Sequence, residues 1–529
     1  MAGGAPQAWT PERSAAGSRS PWLIAGIVSL ATFMEVLDIS IANVALDHIS
    51  GSLSASYDES TWILTSYLIA NAIAIPISGW LSNIIGRKRF YMMSVALFTV
   101  SSLFCGIAPS LTFLIIARIF QGIGGGGLAP SEQSILTETF SPKQRGGAFA
   151  LYGLTVIAAP ILGPTLGGLI TDNFSWHWVF LINIPVGALS LFLVQRYVVD
   201  PPKLEEERQE RLKGGLKVDA PGIILLILWL GCMEFVLDRG QREDWLQSGL
   251  IVSFLVVSVT SCVALWIWEW RHKTPVFNVR LLTSRSYVIA ILIMMATGAV
   301  VLGTTQLIPQ FTQQVLGYTA SNAGEAMTLG GLATIVMMPL AGILVSKIQP
   351  KYLIMAGLAS CSAGLLIFSQ LTGDVSWWWL ALSRMALAVG LPFLFINIST
   401  AAYTDLPPEH IAEASSQINL ARNLGGSLAI SLSQTLIAQR SQFHQSRLSE
   451  TLTPYDPGYR SALRGLTSAL HSQGVGAAKA ATAELYGMIG KQAAVLAYID
   501  TFWIFGIGIG ALVPLIIFMK KTQPGQAAG

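Results

Sequence analysis

Of 529 residues, 52% are hydrophobic, only 12% carry charge and the mean hydropathy is +0.57, where an ordinary soluble chain is about a quarter charged. This composition excludes a soluble globular domain and reads as a polytopic membrane protein. A net charge of +3, with the basic residues gathered in loops, does not indicate a nucleic-acid partner.

Residues 1–21 are polar and rich in Gly, Ala, Ser and Pro, and the apolar run after them lacks a small-residue cleavage site. They read as a disordered cytoplasmic tail before a retained first helix, not as a signal peptide. A span needs roughly 20 residues, at about 1.5 Å each, to cross about 30 Å of hydrocarbon. That rule gives fourteen spans, near 22–45, 60–82, 89–108, 111–137, 147–171, 177–197, 219–237, 248–270, 287–311, 321–346, 352–371, 377–403, 412–438 and 497–519. The fold class expected is therefore all-α integral membrane. An even count puts both termini on one side.

Alternate loops hold Arg87, Lys88 and Arg89, then Lys143 and Arg145, the mixed segment from Arg196 to Lys217, Arg271 to Arg285, Lys347 with Lys351, and Lys520 with Lys521. An excess of Arg and Lys marks the cytoplasmic side, so both termini are placed there. The charged stretch PPKLEEERQERLKGGLK at 201–217 is a solvated connector. The resulting division is a six-helix half at 22–198, a linker at 199–218, two inserted spans at 219–270, a linker at 271–286, a second half at 287–519 and a tail at 520–529. Within the second half, the long loop 439–496 lies on the far side and can hold a helix or two, as a mobile loop or a docking surface. An internal echo supports two related halves: Arg118 and Gly124 in span four share their offset with Arg384 and Gly390 in span twelve. Repeat-built transporters place their substrate path between such halves.

The first span carries Glu35, Asp38 and Asn43 inside LIAGIVSLATFMEVLDISIANVAL. A charged group in hydrocarbon costs at least a few kcal/mol, so such residues face a protein interior or a water-filled path. Glu35 and Asp38 are three apart and share a helix face, which suits a carboxyl that takes and releases a proton. The alternative is an acid that only pairs with a basic residue on a neighbouring helix. Span four carries Arg118 and Gln121. Counted at 1.5 Å per residue from opposite ends, Arg118 lies about 10 Å and Asp38 about 24 Å deep, which allows them to meet. Glu132 and Gln133 lie in the cytoplasmic half of the same span. Glu234 and Glu325 fall near span ends, where snorkelling explains them. Arg384 and Arg422 are either partners for substrate carboxylates or structural counter-charges.

Cys105, Cys232, Cys262 and Cys361 lie in apolar segments without C-x-x-C spacing, so neither a disulfide framework nor a metal site is expected. The glycines from Gly122 to Gly127 fit a G-x-G-x-x-G spacing, but no strand precedes them. No P-loop and no H-E-x-x-H occurs, and the six histidines are scattered. Dinucleotide binding is discarded, no cofactor is expected, and an ATP-driven pump and an integral-membrane enzyme are disfavoured.

Four stretches carry a resemblance: LDISIANVAL at 37–46, GWLSNIIGRKR at 79–89, LIIARIFQGIGGG at 114–126 and APILGPTLGG at 159–168. Together they resemble the major facilitator superfamily, specifically its fourteen-span drug:proton antiporter branch, over nearly the whole chain. The loop motif is superfamily-wide, whereas the span-five motif is more specific. The resemblance implies two six-helix halves plus two additional spans, and a proton-driven antiporter that exports amphipathic drugs or other toxic small molecules. It implies location in the inner (cytoplasmic) membrane, with a periplasmic membrane-fusion adaptor and an outer-membrane channel as partners. A stand-alone exporter of a specific metabolite is the alternative.

On this reading Asp38, Glu35 and Arg118 couple protons, and Asn43, Gln121, Glu132 and Gln133 bind substrate. The conformational motifs are Gly79, Asn83, Gly86 and Arg87 after span two, and Gly163, Pro164, Gly167 and Gly168 in span five. The family prefers Asp where this chain has Asn83, which puts its gating salt bridge in doubt. In span five, proline and small residues permit bending and close helix approach.

Overall fold

The computed structural model describes residues 20–519 apart from 142–143, 201–204, 207, 210–217, 273–274, 319, 346, 373–374, 404–405, 407–409, 454 and 471–475. The tails at 1–19 and 520–529, most of the charged linker, and Lys143, Lys520 and Lys521 lie outside the described residues. Among the described residues the chain is helical and without strands. Hydrocarbon offers no partner to an unpaired backbone amide, and a helix satisfies its own.

The long helices are α1 (Pro21–Val44), α2 (Trp62–Ile85), α3 (Arg87–Gly106), α4 (Leu111–Thr139, broken at Gly126), α5 (Arg145–Asn173), α6 (His177–Tyr197), α7 (Ala220–Arg239) and α8 (Gly249–Arg271). After them come α9 (Arg285–Val315), α10 (Ala320–Leu344), α11 (Pro350–Phe368), α12 (Trp377–Tyr403), α13 (Ile411–Thr451) and α14 (Ala477–Gly510). Their starts are chemically marked. Ser20 precedes Pro21, Ser110 Oγ accepts from the Phe113 amide at 3.3 Å, and the Asp219 carboxylate accepts from the Gly222 amide at 3.0 Å.

Each expected span falls on one of these helices. Twelve of the described helices are long and apolar enough to cross a membrane, and α5, bent by 43° between Arg145–Pro160 and Thr165–Asn173, makes a thirteenth. The bend sits where Pro160 and Pro164 interrupt the amide ladder. Helix α13 is the exception in composition, because its membrane half carries Glu413, Gln417, Asn419, Arg422 and Asn423. Gln417 and Asn419 are buried and the other three half-buried, because α13 packs on α9 and α14 behind, and on α2 and α4 in front.

Two six-helix halves result. In the first, α1 packs on α5 and α6, and α4 on α2 and α3; in the second, α12 packs on α10 and α11, and α13 on α9 and α14. Their seam runs between α2 and α13 and between α5 and α10. The inserted α7 and α8 pair with each other, and α7 lies against both α2 and α13. Only 22% of the most apolar window of α8 is buried, against 61% for α1, so α8 is peripheral.

The segment 439–496 is largely helical. Helix α13 runs on to Thr451 and α14 begins at Ala477, leaving a 13-residue helix, Pro457–Ala469, between them. Forty-one helical residues reach about 60 Å, twice the hydrocarbon thickness. The two extensions are tied by Arg440 and His444, both on Asp500, at 2.6 and 2.7 Å.

Candidate functional site

Asp38 is 1% exposed and Arg118 is fully buried. Arg118 Nη1 donates to Asp38 Oδ2 at 2.6 Å and to Gln121 Oε1 at 2.7 Å, and its Nε donates to the Ile63 carbonyl at 3.2 Å. The other Asp38 oxygen accepts from Gln121 Nε2 at 3.0 Å and Asn183 Nδ2 at 2.6 Å. Ser102 Oγ accepts from the same two amides, each at 2.9 Å. The guanidinium also lies 4.3 Å from the Tyr67 ring centroid and 5.5 Å from that of Phe180. Asp38 and Arg118 thus form a buried, hydrogen-bonded ion pair tying α1, α4 and α6. Such a pair resists disruption because each partner would otherwise be a lone buried charge.

Glu35 is held differently. It is 6% exposed, and its Oε1 accepts long hydrogen bonds from Asn71 Nδ2 at 3.2 Å and Tyr67 Oη at 3.4 Å. Asn71 Oδ1 accepts in turn from Asn423 Nδ2 of α13 at 3.0 Å. This carboxyl on the first half is therefore wired to the second. Glu132 is fully buried and accepts from Ser29 Oγ at 2.5 Å. Among the described residues neither Glu35 nor Glu132 is in ion-pair contact with a basic side chain.

Toward the end of the bundle that carries Arg87 and Lys88 the halves are locked together. Gln133 Oε1 accepts from Tyr403 Oη at 2.8 Å, Ser415 Oγ at 3.0 Å and Asn419 Nδ2 at 3.0 Å. Asn419 Oδ1 accepts from Tyr152 Oη at 3.1 Å, and that hydroxyl accepts from Arg422 Nη1 at 2.6 Å. Gln133 is thus a latch between halves in this conformation.

The loop motif lies at the same end. Gly86 has φ +98, in the left-handed region open to glycine, and makes the turn from α2 to α3. Arg87 pairs with Glu138. Asn83 Nδ2 lies 3.5 Å from Glu413 Oε1 of α13. An aspartate at 83 would face that carboxylate, which accounts physically for the departure from the family pattern. A Cβ at Gly79 would stand 2.7 Å from Ser416 Oγ and 2.8 Å from the Ala412 carbonyl. Gly79→Val should therefore wedge α2 from α13. Overpacking of this kind costs about 1–3 kcal/mol, so the closed population should fall roughly tenfold, read as faster labelling of a cysteine placed at 416 in the Gly79→Val background.

In α5, Gly163 faces Ser40 and Gly167 faces Ile41 and Val44 of α1, while a Cβ at Gly168 would meet open space. Ser40 Oγ also donates to the Pro160 carbonyl at 3.3 Å. Pro164 belongs to the bent stretch.

The structure gathers Asp38, Arg118 and Gln121 in one network, sets Glu35 and Glu132 beside it, and puts Gln133 in the seam. Asn43 joins none of these: it is exposed near the end of α1. Glu234 is a correction. It is 4% exposed and accepts from Ser427 Oγ at 3.1 Å, instead of reaching for the interface, because its face of α7 points at the seam. Sequence reasoning missed Ser102, Asn183, Asn71, Asn423, Tyr403, Ser415 and Asn419. The usable signal was Asn71 and Asn183, amides inside apolar runs.

The Major Facilitator Superfamily model matches residues 28–430. The chain is 36% identical over 495 residues to the multidrug export protein EmrB of Haemophilus influenzae, covering 93% of this chain and 94% of that protein. It is 34% identical over 521 residues to the probable multidrug resistance protein EmrY of Escherichia coli, covering 96% and 97%. The solved structure of the proton:xylose symporter XylE shares the fold, with a TM-score of 0.62 at 14% identity over 96% of this chain and 98% of that one. This chain belongs to the Major Facilitator Superfamily and, within it, to the group of membrane transporters that includes EmrB and EmrY.

Proposed function

We propose that this transporter exports amphipathic drugs or other toxic small molecules in exchange for protons. The observation that carries the reading is Glu35: a buried carboxyl outside any ion pair among the described residues, joined through Asn71 to Asn423 of the opposite half. Adding or removing a proton there changes the charge at the seam itself, and so biases which way the halves face. Sequence reasoning gave proton coupling to Asp38, Glu35 and Arg118 together, with the proton on Asp38 and Glu35 tuning or sharing it. The geometry favours the reverse, with Asp38 anchored by Arg118 and Glu35 exchanging. Glu132, an acid without an ion-pair partner, offers a contact to a cationic substrate group; Gln121 supports Asp38, and Gln133 latches the halves. The multidrug names of the relatives support drug export.

The basic loops favour a cytoplasmic position for the latched end, with both termini on that side of an inner membrane. The helical extension of α13 and α14 then projects from the opposite face and offers a docking surface for a periplasmic adaptor leading to an outer-membrane channel. Purified protein in liposomes tests the coupling. Collapse of an imposed pH gradient on adding an amphipathic drug is expected, and substrate movement indifferent to that gradient would overturn the proposal.

A further inference from the structure

The inserted pair α7 and α8 has no role in the reading above, yet α7 presents ionisable groups to the seam. Glu234 and Asp238 are four apart and so share a helix face. Glu234 accepts from Ser427 of α13 at 3.1 Å, and Asp238 Oδ2 accepts from Thr65 Oγ1 of α2 at 2.6 Å. Asp238 is 38% exposed and Glu234 only 4%, so the two descend from the surface into the seam. Ser427 lies one helical turn from Asn423, which donates to Asn71, which donates to Glu35. A line of polar side chains thus runs from the end opposite the basic loops, past α7, to the carboxyl assigned to proton exchange.

We infer that Glu234 is a proton-loading carboxyl that supplies Glu35, making the inserted helix part of the coupling machinery. This rests on the proton-exchange reading of Glu35. The Glu234 carboxylate takes a proton from the aqueous face beside Asp238. The neutral acid then gives that proton to water entering the seam, the hydronium formed gives it to the Glu35 carboxylate, and Glu234 returns to its anionic form to be reloaded. Ser427, Asn423 and Asn71 line and orient the path; the amides do not carry the proton.

The charged groups around Glu234 are few. Among the described residues α7 carries Asp238 and Arg239, whose Nε lies 3.6 Å from Asp238 Oδ2 and whose Nη2 donates to Thr61 Oγ1 at 3.1 Å, and Arg242 just beyond α7 donates to the same hydroxyl at 3.0 Å. Helix α2 presents Thr61 and Thr65, α13 presents Ser427 with Arg422 more than a turn further on, and α8 meets this part of α7 through Phe254 stacked on Phe235. An acid in such a place is costly to bury, which makes it a candidate for function.

The test uses full-length protein in liposomes with a pH gradient and a fluorescent amphipathic cation. Glu234→Gln keeps an acceptor for Ser427 but cannot carry the proton. Gradient-driven transport is expected to fall at least tenfold and to lose its dependence on outer pH, while Glu234→Asp retains more than half and dye binding to purified Glu234→Gln stays within twofold of wild type. Full-rate, pH-dependent transport by Glu234→Gln would overturn the inference and leave the Glu35 reading standing. Loss of dye binding together with transport would mark Glu234 as structural and equally overturn it. Gradient-independent transport by the wild type would instead remove the proton-exchange reading and this inference with it.

Discussion

Asp38→Asn is expected to lose folded protein before it loses transport. Arg118 is fully buried, and among the described residues its ion-pair partner is Asp38. Asparagine removes that charge and leaves a single oxygen facing three donors, Arg118, Gln121 and Asn183. Breaking a buried pair from one side costs about 3–5 kcal/mol, whereas replacing both partners with well-packed apolar groups is often neutral. Asp38→Asn and Arg118→Met should each lower thermal stability in detergent and reduce the folded fraction on gel filtration. Asp38→Leu combined with Arg118→Met should recover most of the folded protein. Wild-type stability in Asp38→Asn would show that the ion pair does not hold α1 to α4.

Glu35→Gln should do the opposite, keeping the fold and losing the coupling. Glutamine presents the same carbonyl oxygen to Asn71 and Tyr67, so neither donor is stranded. What disappears is the ability to exchange a proton. Gradient-driven export is expected to fall at least tenfold, about 1.4 kcal/mol or more of lost coupling, while downhill substrate exchange persists and thermal stability stays near wild type. The measurement is substrate flux with and without an imposed pH gradient. Equal response to the gradient in Glu35→Gln and wild type would move the exchanging proton to another group, with Glu132 next to be tested.

The two substitutions separate roles that spacing alone assigns to Glu35 and Asp38 together. Three residues apart on α1, the acids lie on nearly one face, but α1 is surrounded. Asp38 meets α4 and α6, rich in donors and carrying the arginine. Glu35 meets α2, which offers only amide and phenol groups. That difference in surroundings is invisible in spacing. The same holds for Glu234: its distance from the end of α7 favours snorkelling, and only the placement of α7 against α2 and α13 turns it inward. Asn83 shows the converse, a departure from a family pattern that becomes chemically sensible once Glu413 stands opposite it.

By itself the sequence determined what hydrocarbon demands locally: the helices, their approximate limits, the bend region of α5, the turn at Gly86 and the presence of acids too costly to lie idle in a membrane. It also carried the family, because the motifs that shape helix contacts are short and continuous. Tertiary structure alone decided which acid is paired and which stands outside an ion pair, that Gln133 latches the halves, that α13 and α14 extend far beyond the bilayer, and that α7 shares the seam. These depend on groups brought together from helices up to 352 residues apart, as in Asn71 with Asn423. Helix periodicity fixes the direction of a side chain, and only packing fixes what lies in that direction.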